Sequence, residues 1–450
     1  MKIHLLSLGC ARNLVDSEEM LADLRKNQQE ICENPEDADV IIVNTCSFIE
    51  SAAQESVDTI LELARLKKEG ACRCLIVTGC LPERYRESIA EEIPEVDLFL
   101  GTGAFNRVAE AVSGTLPSSA SRCLLPDPDA IAAPGQDLLR LSTFPHTAYL
   151  KIAEGCSRHC TYCIIPRLRG KQKSRRPETI LAEARRFLES GVKELVLVAQ
   201  DSTAYGTDLR ESGAESAGLA SLLTSLSDLS AKLAPENRIR VLYGHPESIH
   251  GDIIRAMAAR ENICSYYDLP VQHAADSVLK KMGRHHSRED LCRLFEKIRK
   301  TDPHAVLRST VIVGFPGESD TDFAELLDFV REIRFDHLGA FTYSDAEDLP
   351  SHGLPRHVPK KTVRERLDRL MNLQKKISEE KNQDYLDKVL KVLIEELPED
   401  NVAEGRTAFQ APEVDGMVFV HHRASVKTGE FVQVKITDSL EYDLVGDALV

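Results

Sequence analysis

Tryptophan is absent from this 450-residue sequence, and aromatic residues as a class make up only 5% of it. No apolar run reaches the roughly 18 residues that a transmembrane helix needs, and the apolar run at the N-terminus is too short for a secretory signal peptide. Positive charge is in deficit, because 56 Lys and Arg residues stand against 72 Asp and Glu residues, giving a net charge of −16. A bulk attraction to nucleic acid is therefore not expected, and a basic partner is the more natural interpretation.

Cysteine occurs at twelve positions, which is too sparse for a small secreted disulfide scaffold in a chain of this length. We therefore predict a protein of the reducing cytoplasm whose cysteines serve metal binding. The length predicts two to four domains, and 42% hydrophobic residues are enough to build sizeable cores.

A loop at residues 155–163 carries Cys156, Cys160 and Cys163 at the spacing C-x3-C-x2-C. A structural zinc site closes with four protein ligands, but no fourth cysteine follows at short range. His159 lies inside the loop, where it would be a poor fourth ligand. Three thiolates suit a four-iron cluster that leaves one iron open. A redox or zinc loop with coincidental spacing is the alternative.

The first 112 residues or so alternate apolar strand-like segments with helical ones, which is typical of a parallel sheet covered on both faces. The predicted strands are 3–8, 40–43, 74–77 and 96–99, and the predicted helices are 16–26 and 51–68. Cys10, Cys46 and Cys80 each lie two or three residues beyond a predicted strand. Ligands of open parallel sheets bind outside the carboxyl ends of the strands. The pattern therefore predicts a second three-thiolate site, although each cysteine taken singly would suit a small buried position in a tight turn.

Strands and helices alternate again from residue 142 to about 360, after a segment rich in Ser, Pro, Ala and Asp that has no periodicity and is typical of a linker. The six predicted strands are 148–152, 194–198, 238–242, 265–271, 307–313 and 337–342. Six strands are too few for a closed eight-stranded barrel. A basic run at 167–176 is typical of a solvated face, although it could neighbour an acidic ligand.

Polar or glycine residues follow several of these strands, where the chemistry of such barrels is located. They are Gln200, Asp201, Gln272, Gly314 and Glu318. Glycine lets the backbone approach a ligand closely, and Gln, Asp or Glu can hold ribose hydroxyls or an ammonium group. Helix-capping loops would account for each of them equally well when it is taken singly.

The C-terminal part changes character after an amphipathic helix predicted at 361–392. Five short strands separated by turn residues predict a small antiparallel barrel of the OB-like kind. Residues 401–450 contain eight Asp or Glu against four Lys or Arg. This acidic balance is poorly suited to binding phosphates and better suited to binding a basic protein.

Three stretches resemble a known family. The cysteine loop at 155–163 resembles the signature of radical S-adenosylmethionine (SAM) enzymes, and the stretch from Leu8 to Glu18 resembles the opening motif of the methylthiotransferases within that group. Residues 405–407 and 411–416 resemble the TRAM domain. The resemblance implies an α/β protein with an N-terminal doubly wound parallel sheet, a central open (β/α)6 partial barrel and a C-terminal small antiparallel barrel. The expected domains are 1–114, 142–375 and 376–450, with a linker at 115–141.

The resemblance also implies two [4Fe-4S] clusters. SAM would bind the open iron of the cluster held by Cys156, Cys160 and Cys163, and reductive cleavage would release a deoxyadenosyl radical. Cys10, Cys46 and Cys80 would hold the second cluster, which handles the sulfur. Tyr162 would lie near the adenine, and the polar strand-end residues (Gln200, Asp201, Gln272, Gly314, Glu318), together with residues 279–284, would line the SAM and substrate pocket.

The expected activity is transfer of a methylthio group to the β-carbon of an aspartate of the small-subunit ribosomal protein S-twelve, because the opening motif is most similar to that branch of the family. An electron donor protein is an expected second partner. Three alternatives stay open: a tRNA adenosine methylthiotransferase, a radical SAM enzyme whose N-terminal cysteines are only structural, and a non-catalytic iron–sulfur protein that binds RNA through its C-terminal barrel.

Overall fold

The predicted N-terminal strands form one parallel sheet in a computed structural model, which describes residues 1–116, 122–130, 140–211, 213, 218–423 and 425–449. The sheet has the strand order β2-β1-β3-β4-β5-β6, so the chain winds in both directions from its first strand. The strands are β1 (Lys2–Ser7), β2 (Glu30–Ile31), β3 (Val40–Thr45), β4 (Cys74–Gly79), β5 (Leu98–Leu100) and β6 (Cys123–Leu124). The helices are α1 (Ala11–Lys26), α2 (Glu50–Ala64), α3 (Leu66–Glu69), α4 (Cys80–Tyr85), α5 (Ser88–Glu92) and α6 (Val108–Ser113). Strand β3 is buried along its whole length because helices cover both faces.

Three features of this sheet differ from the sequence prediction, and the first is the unpredicted two-residue strand β2, which pairs with β1 at the edge of the sheet. Helix α1 begins at Ala11 rather than residue 16, because the amide of Leu14 already donates to the Cys10 carbonyl and closes the first turn. Cys123–Leu124 adds a sixth strand beside β5 from within the predicted linker, and a two-residue strand is too short to show periodicity. Residues 117–121 and 131–139 of that predicted linker lie outside the described residues.

Six parallel strands form the central part, as predicted. Three of them make the sheet β11-β10-β7 and three make the sheet β12-β13-β14, and an isolated bridge between Ile239 and Ile263 links the two sheets near their junction. The strands are β7 (Thr147–Lys151), β10 (Glu194–Val198), β11 (Arg238–Val241), β12 (Tyr266–Asp268), β13 (Val306–Val313) and β14 (His337–Thr342), and a short hairpin pairs β8 (Ala153–Glu154) with β9 (Lys173–Ser174). Helix α7 (Ile165–Arg169) packs against α4 of the N-terminal part. The other helices cover the outside: α8 (Pro177–Glu189), α9 (Thr207–Glu211), α10 (Leu219–Leu233), α11 (Gly251–Ala258), α12 (Asp276–Lys281), α13 (Arg288–Thr301) and α14 (Asp320–Ile333).

The chain ends in a closed barrel of the order β15-β16-β17-β19-β18, after the long helix α15 (Lys360–Gln383). The strands are β15 (Val389–Glu399), β16 (Val402–Arg406), β17 (Val418–His421), β18 (Phe431–Ser439) and β19 (Leu444–Ala448). The barrel was expected to be antiparallel throughout, but it closes through one parallel pairing between β17 and β19. Helix α15 ends earlier than the predicted residue 392, because residues from Val389 onward pair with β18.

A buried ion cluster fixes this barrel to the central part. The carboxylate of Glu194 on β10 contacts Arg238 at 2.9 Å, Arg240 at 2.7 Å and Arg406 of the barrel at 2.8 Å. Burial opposes ionisation of Glu194, but the three guanidinium groups hold its pKa well below the ordinary value. Within the described residues, no helix combines the length and apolarity needed to cross a bilayer.

Candidate active site

All six cysteines predicted to bind metal line a single cavity of about 750 Å³. Cys10, Cys46 and Cys80 follow β1, β3 and β4, whose carboxyl ends meet at one edge of the N-terminal sheet. Cys156, Cys160 and Cys163 lie on the loop after β8 and face the same cavity from the central part. The two triplets therefore share one cavity, although Cys10 and Cys163 are 153 residues apart in the sequence.

The donor set consists of cysteine thiols, which suit iron–sulfur clusters. All twelve cysteines are free thiols, and within the described part of the chain no three His, Cys, Asp or Glu side chains are arranged to hold one metal ion. Each thiolate of an iron–sulfur cluster binds a separate iron atom, so the three sulfurs need not converge on one point. Thiolates are soft ligands, so they bind iron–sulfur clusters in preference to hard cations such as Mg²⁺ or Ca²⁺.

Arginines make the N-terminal half of the cavity electropositive. Burial alone would raise the pKa of Cys10, but Arg12, the amide of Asn13 and Arg169 together lower it below its ordinary value. Burial dominates at Cys80 and raises the pKa of its thiol to about 11 although Arg169 opposes it. Thiols in this setting require a bound metal or a neighbouring cation to become thiolates.

Arg169, the last residue of α7, connects the two halves of the cavity. Its guanidinium donates to Asp16 at 2.6 Å and to the side-chain oxygen of Asn13 at 2.5 Å, and it lies 3.6 Å from the sulfur of Cys80. Lys151 contacts the second oxygen of Asp16, and all of these side chains are buried. The motif that carries Asn13 and Asp16 thus holds the central domain against the N-terminal one.

The predicted solvated face at 167–176 is therefore wrong for two of its members. Arg169 is buried as described above, and Arg175 is buried against Glu183 at 2.7 Å and the Lys151 carbonyl. Arg167 and Arg176 remain exposed or partly exposed, as predicted. Charge density along the sequence did not distinguish cations that a buried carboxylate neutralises from those that water solvates.

Arg158 anchors the loop that carries Cys156, Cys160 and Cys163. Its guanidinium donates to Asp201 beyond β10 at 2.9 Å and to Glu247 beyond β11 at 2.7 Å, and it also contacts Ser248. At the start of the loop, a side chain on Gly155 would lie 2.1 Å from the Lys171 carbonyl, and this glycine has φ +78°. The amide of Cys156 donates to the Gly170 carbonyl at 3.0 Å, so the backbone is pinned on both sides.

Tyr162 lies in the cavity wall, as its predicted position beside a bound adenine requires. Its hydroxyl accepts from the guanidinium of Arg284 at 2.7 and 3.2 Å, and Arg284 also contacts the ring of His245. Phe315 packs edge-on against the Tyr162 ring. The orientation of this aromatic side chain is therefore fixed by the segment after α12 and by the loop after β13.

The polar strand-end residues divide into two groups. Gln200, Asp201 and Gln272 line the cavity. Gly314 and Glu318 are absent from that lining, because the carboxylate of Glu318 turns into its own loop. It accepts from the Gly314 amide at 2.6 Å and the Phe315 amide at 3.2 Å, and it pairs with Arg366 at 2.7 Å. The contacts of Glu318 lie within the loop after β13 and with Arg366, and the prediction that Gly314 and Glu318 line the SAM pocket stays a prediction.

Several cavity residues escaped the sequence prediction. Arg12 lies 4.3 Å above the ring of Tyr243 and donates to the Ala199 carbonyl at 2.9 Å. Its position beside Cys10 in the opening motif was the available signal. His245 follows β11, and the same strand-end reasoning that selected Gln200 could have found it. Glu413 and Val414 of the C-terminal barrel also line the cavity, and no feature of their sequence indicated this.

Comparison with known proteins gives each domain a counterpart. Residues 2–101 match the uncharacterized protein family UPF0004, residues 150–330 match the radical SAM superfamily, and residues 388–449 match the TRAM domain. Ribosomal protein uS12 methylthiotransferase RimO of Desulfosudis oleivorans is 54% identical over 448 residues, which is 100% of both chains. The protein of the same name from Clostridioides difficile is 49% identical over 450 residues, covering 100% of this chain and 99% of the relative.

The chain belongs to the ribosomal protein uS12 methylthiotransferase family. The resemblance noted in the opening motif and the cysteine loop is thereby confirmed. Among solved structures, the radical SAM methyltransferase TsrM from Kitasatospora setae matches with a TM-score of 0.56 at 14% identity, over 76% of this chain and 74% of that one. The radical SAM enzyme OxsB matches with a TM-score of 0.52 at 15% identity, over 84% of this chain and 56% of that one. At these identities the likeness concerns the fold, and it confirms the predicted central partial barrel.

Proposed function

We propose that this protein transfers a methylthio group to the β-carbon of an aspartate of ribosomal protein uS12. The observation that carries the proposal is the single cavity lined by both cysteine triplets. A radical generator and a sulfur carrier must both reach the same substrate carbon, and a shared chamber satisfies that requirement. The full-length relatives bear the name of this activity.

Cys156, Cys160 and Cys163 would hold one [4Fe-4S] cluster with an open iron for SAM, and Cys10, Cys46 and Cys80 would hold a second. These cofactors supply the one-electron chemistry that acid–base catalysis cannot offer at an unactivated C–H bond. Gln200, Gln272 and Tyr162 would contact SAM from the cavity wall, and Asp201 acts through its ion pair with Arg158. An electron donor protein is a required partner, and the proposed location is the cytoplasm.

The chain's own contribution is positioning, charge and exclusion of water. Arg158 fixes the loop that carries Cys156. Arg169 joins the two halves of the cavity and faces the Cys80 sulfur. Arg12 and Arg169 keep positive charge beside a site that binds thiolates and sulfur anions. Apolar side chains that line the cavity, described below, would limit the entry of water once a substrate covers them.

Mass spectrometry of the product tests the proposal. The protein is reconstituted anaerobically with iron and sulfide, given SAM and a reductant, and offered uS12 and tRNA in separate reactions. A methylthio mass gain on an aspartate-containing peptide of uS12 is the expected result. A mass gain on a tRNA nucleoside would refute the proposed substrate and favour the tRNA branch of the family. RNA binding without SAM cleavage would refute the proposal that the protein is an enzyme.

Iron analysis tests the two-cluster proposal separately. We expect about eight irons per chain, against about four if the N-terminal cysteines are only structural. Cys10→Ala should lower the content by about half. Cys292→Ser is the matched control, because Cys292 lies on α13 and does not line the cavity.

A further inference from the structure

The loop between β16 and β17 reaches from the C-terminal barrel into the cavity. Among the residues described, Glu413 and Val414 are the barrel's contribution to the cavity wall. They lie 250 and 251 residues after Cys163 in the sequence, yet they line the same cavity as that cysteine. The barrel is therefore part of the reaction site and not only a separate module attached to it.

The tip of this loop is built rigidly. Glu413 accepts from the Tyr149 hydroxyl at 3.0 Å and has φ +66°, a conformation that non-glycine residues rarely adopt. Asp415 accepts from the Tyr266 hydroxyl at 2.5 Å and from Arg308 at 3.3 Å. A strained backbone held by several buried partners is typical of a functional element. The backbone at Val414, which lies between these two residues, is consequently held in place.

Val414 nevertheless remains 50% exposed, although it belongs to a pinned loop. Phe48, which follows β3, is 42% exposed, and Phe341 near the end of β14 is 54% exposed. All three line the cavity. Single exposed apolar residues are common, but three from three different domains around one opening indicate a contact surface. We call Phe48, Phe341 and Val414 the apolar rim.

Acidic side chains flank the apolar rim. Glu50 is exposed two residues after Phe48, and Glu347 is exposed on the segment that follows Phe341. The two segments touch, since the amide of Glu50 lies 3.4 Å from the hydroxyl oxygen of Ser344. An apolar ring with carboxylates at its edge, on a protein of net charge −16, complements a polypeptide loop that carries basic side chains.

We propose that Val414 is a specificity-determining residue that contacts the target loop of a basic protein and orients it over the cavity. This inference rests on the proposed function and adds to it the role of the barrel tip. Phe48 and Phe341 grip the same loop from the other two domains. The barrel thus selects the substrate at the reaction site itself, through a fixed apolar contact.

Steady-state kinetics of the reconstituted full-length enzyme with uS12 test the inference. Val414→Asp places a carboxylate where the substrate's apolar surface would be buried, so we expect KM for uS12 to rise about tenfold or more while kcat changes less than about threefold. Val414→Ile retains an apolar branched side chain and should restore KM to near the parent value. Leu397→Asp is the matched control, because Leu397 is equally exposed on the same barrel and does not line the cavity.

An unchanged KM in Val414→Asp would overturn the inference, as would a fall in kcat alone. Equal defects in Val414→Asp and Leu397→Asp would also overturn it, because the barrel would then be sensitive to charge in general. Loss of iron in Val414→Asp would be recognised by iron analysis, and Val414→Ala then provides the smaller truncation for the same KM measurement. Absence of methylthio transfer by the parent enzyme itself would refute the proposed function rather than the role of Val414.

Discussion

The guanidinium of Arg169 lies 3.6 Å from the sulfur of Cys80 and 2.6 Å from the carboxylate of Asp16. One side chain of the central domain therefore touches both a proposed cluster ligand and the motif that positions it. Because Asp16 also binds Lys151, and Glu154 lies 3.2 Å from Lys151 and 3.4 Å from Arg169, the contact belongs to a network of two cations and two carboxylates. Removal of one partner from such a network leaves an uncompensated buried charge.

Arg169→Met should therefore destabilise the junction between the N-terminal and central domains by about 3–5 kcal/mol, since Asp16 loses a buried cation. We expect iron to leave the Cys10, Cys46 and Cys80 site early during a urea titration. The loss is measured by visible absorption. Arg167→Met is the control, because Arg167 is 52% exposed and should shift stability by less than about 0.5 kcal/mol. Equal effects of the two substitutions would refute this role of Arg169.

Arg158→Gln should weaken SAM binding about tenfold. The reason is that the loop carrying Cys156 would lose its charge-assisted hydrogen bonds to Asp201 and Glu247. The measurement is the electron paramagnetic resonance signal of the reduced protein titrated with SAM. Arg185→Gln removes an exposed arginine of α8 and should leave the titration unchanged. A parent-like titration in Arg158→Gln would show that the loop holds its position without this anchor.

Glu318→Gln distinguishes the sequence prediction from the structure. We expect the free energy of unfolding to fall by about 1–3 kcal/mol, because Arg366 and the amides of Gly314 and Phe315 lose a charged acceptor. The dissociation constant for SAM should stay within about twofold of the parent value. Gln272→Ala, which alters the cavity wall, should weaken SAM binding in the same assay. A large loss of SAM affinity in Glu318→Gln would support the sequence prediction for this residue.

Glu183 should cause part of the loss of folding stability at acidic pH. Burial opposes its ionisation, but Arg140 and Arg175 lower its pKa to about 2. The folded-state pKa is depressed, so the unfolded chain binds the proton first and stability falls as the pH falls from about 6 towards 2. Between pH 6 and 4 this group should account for a loss of about 1 kcal/mol. Glu183→Gln should lack that part of the slope in urea unfolding, whereas Glu189→Gln, at an exposed position, should retain it.

The sequence was sufficient for the features that depend on local pattern. The strand count of the central part and the five-stranded barrel followed from spacing and periodicity, and the structure confirms them. The six predicted cysteines line one cavity, and their role as metal ligands stays a prediction. It was insufficient where side-chain direction decides. Glu318 and Gln272 both follow strands, but only the structure separates the carboxylate that turns into its own loop from the amide that faces the cavity. Val414 reaches the cavity through tertiary packing of the barrel, which leaves no periodic signal.

The cavity wall includes Gly9 near one end of the chain and Val414 near the other. A ribosome releases these residues in order, so the nascent protein exposes all six cysteines long before the barrel tip emerges. During that interval the radical-forming chamber has no third wall, and any cluster inserted early would face oxygen and water. If the six cysteines hold clusters as proposed, insertion after the barrel tip has emerged would protect them best. The order of residues along the chain would then constrain when the enzyme can safely receive its iron.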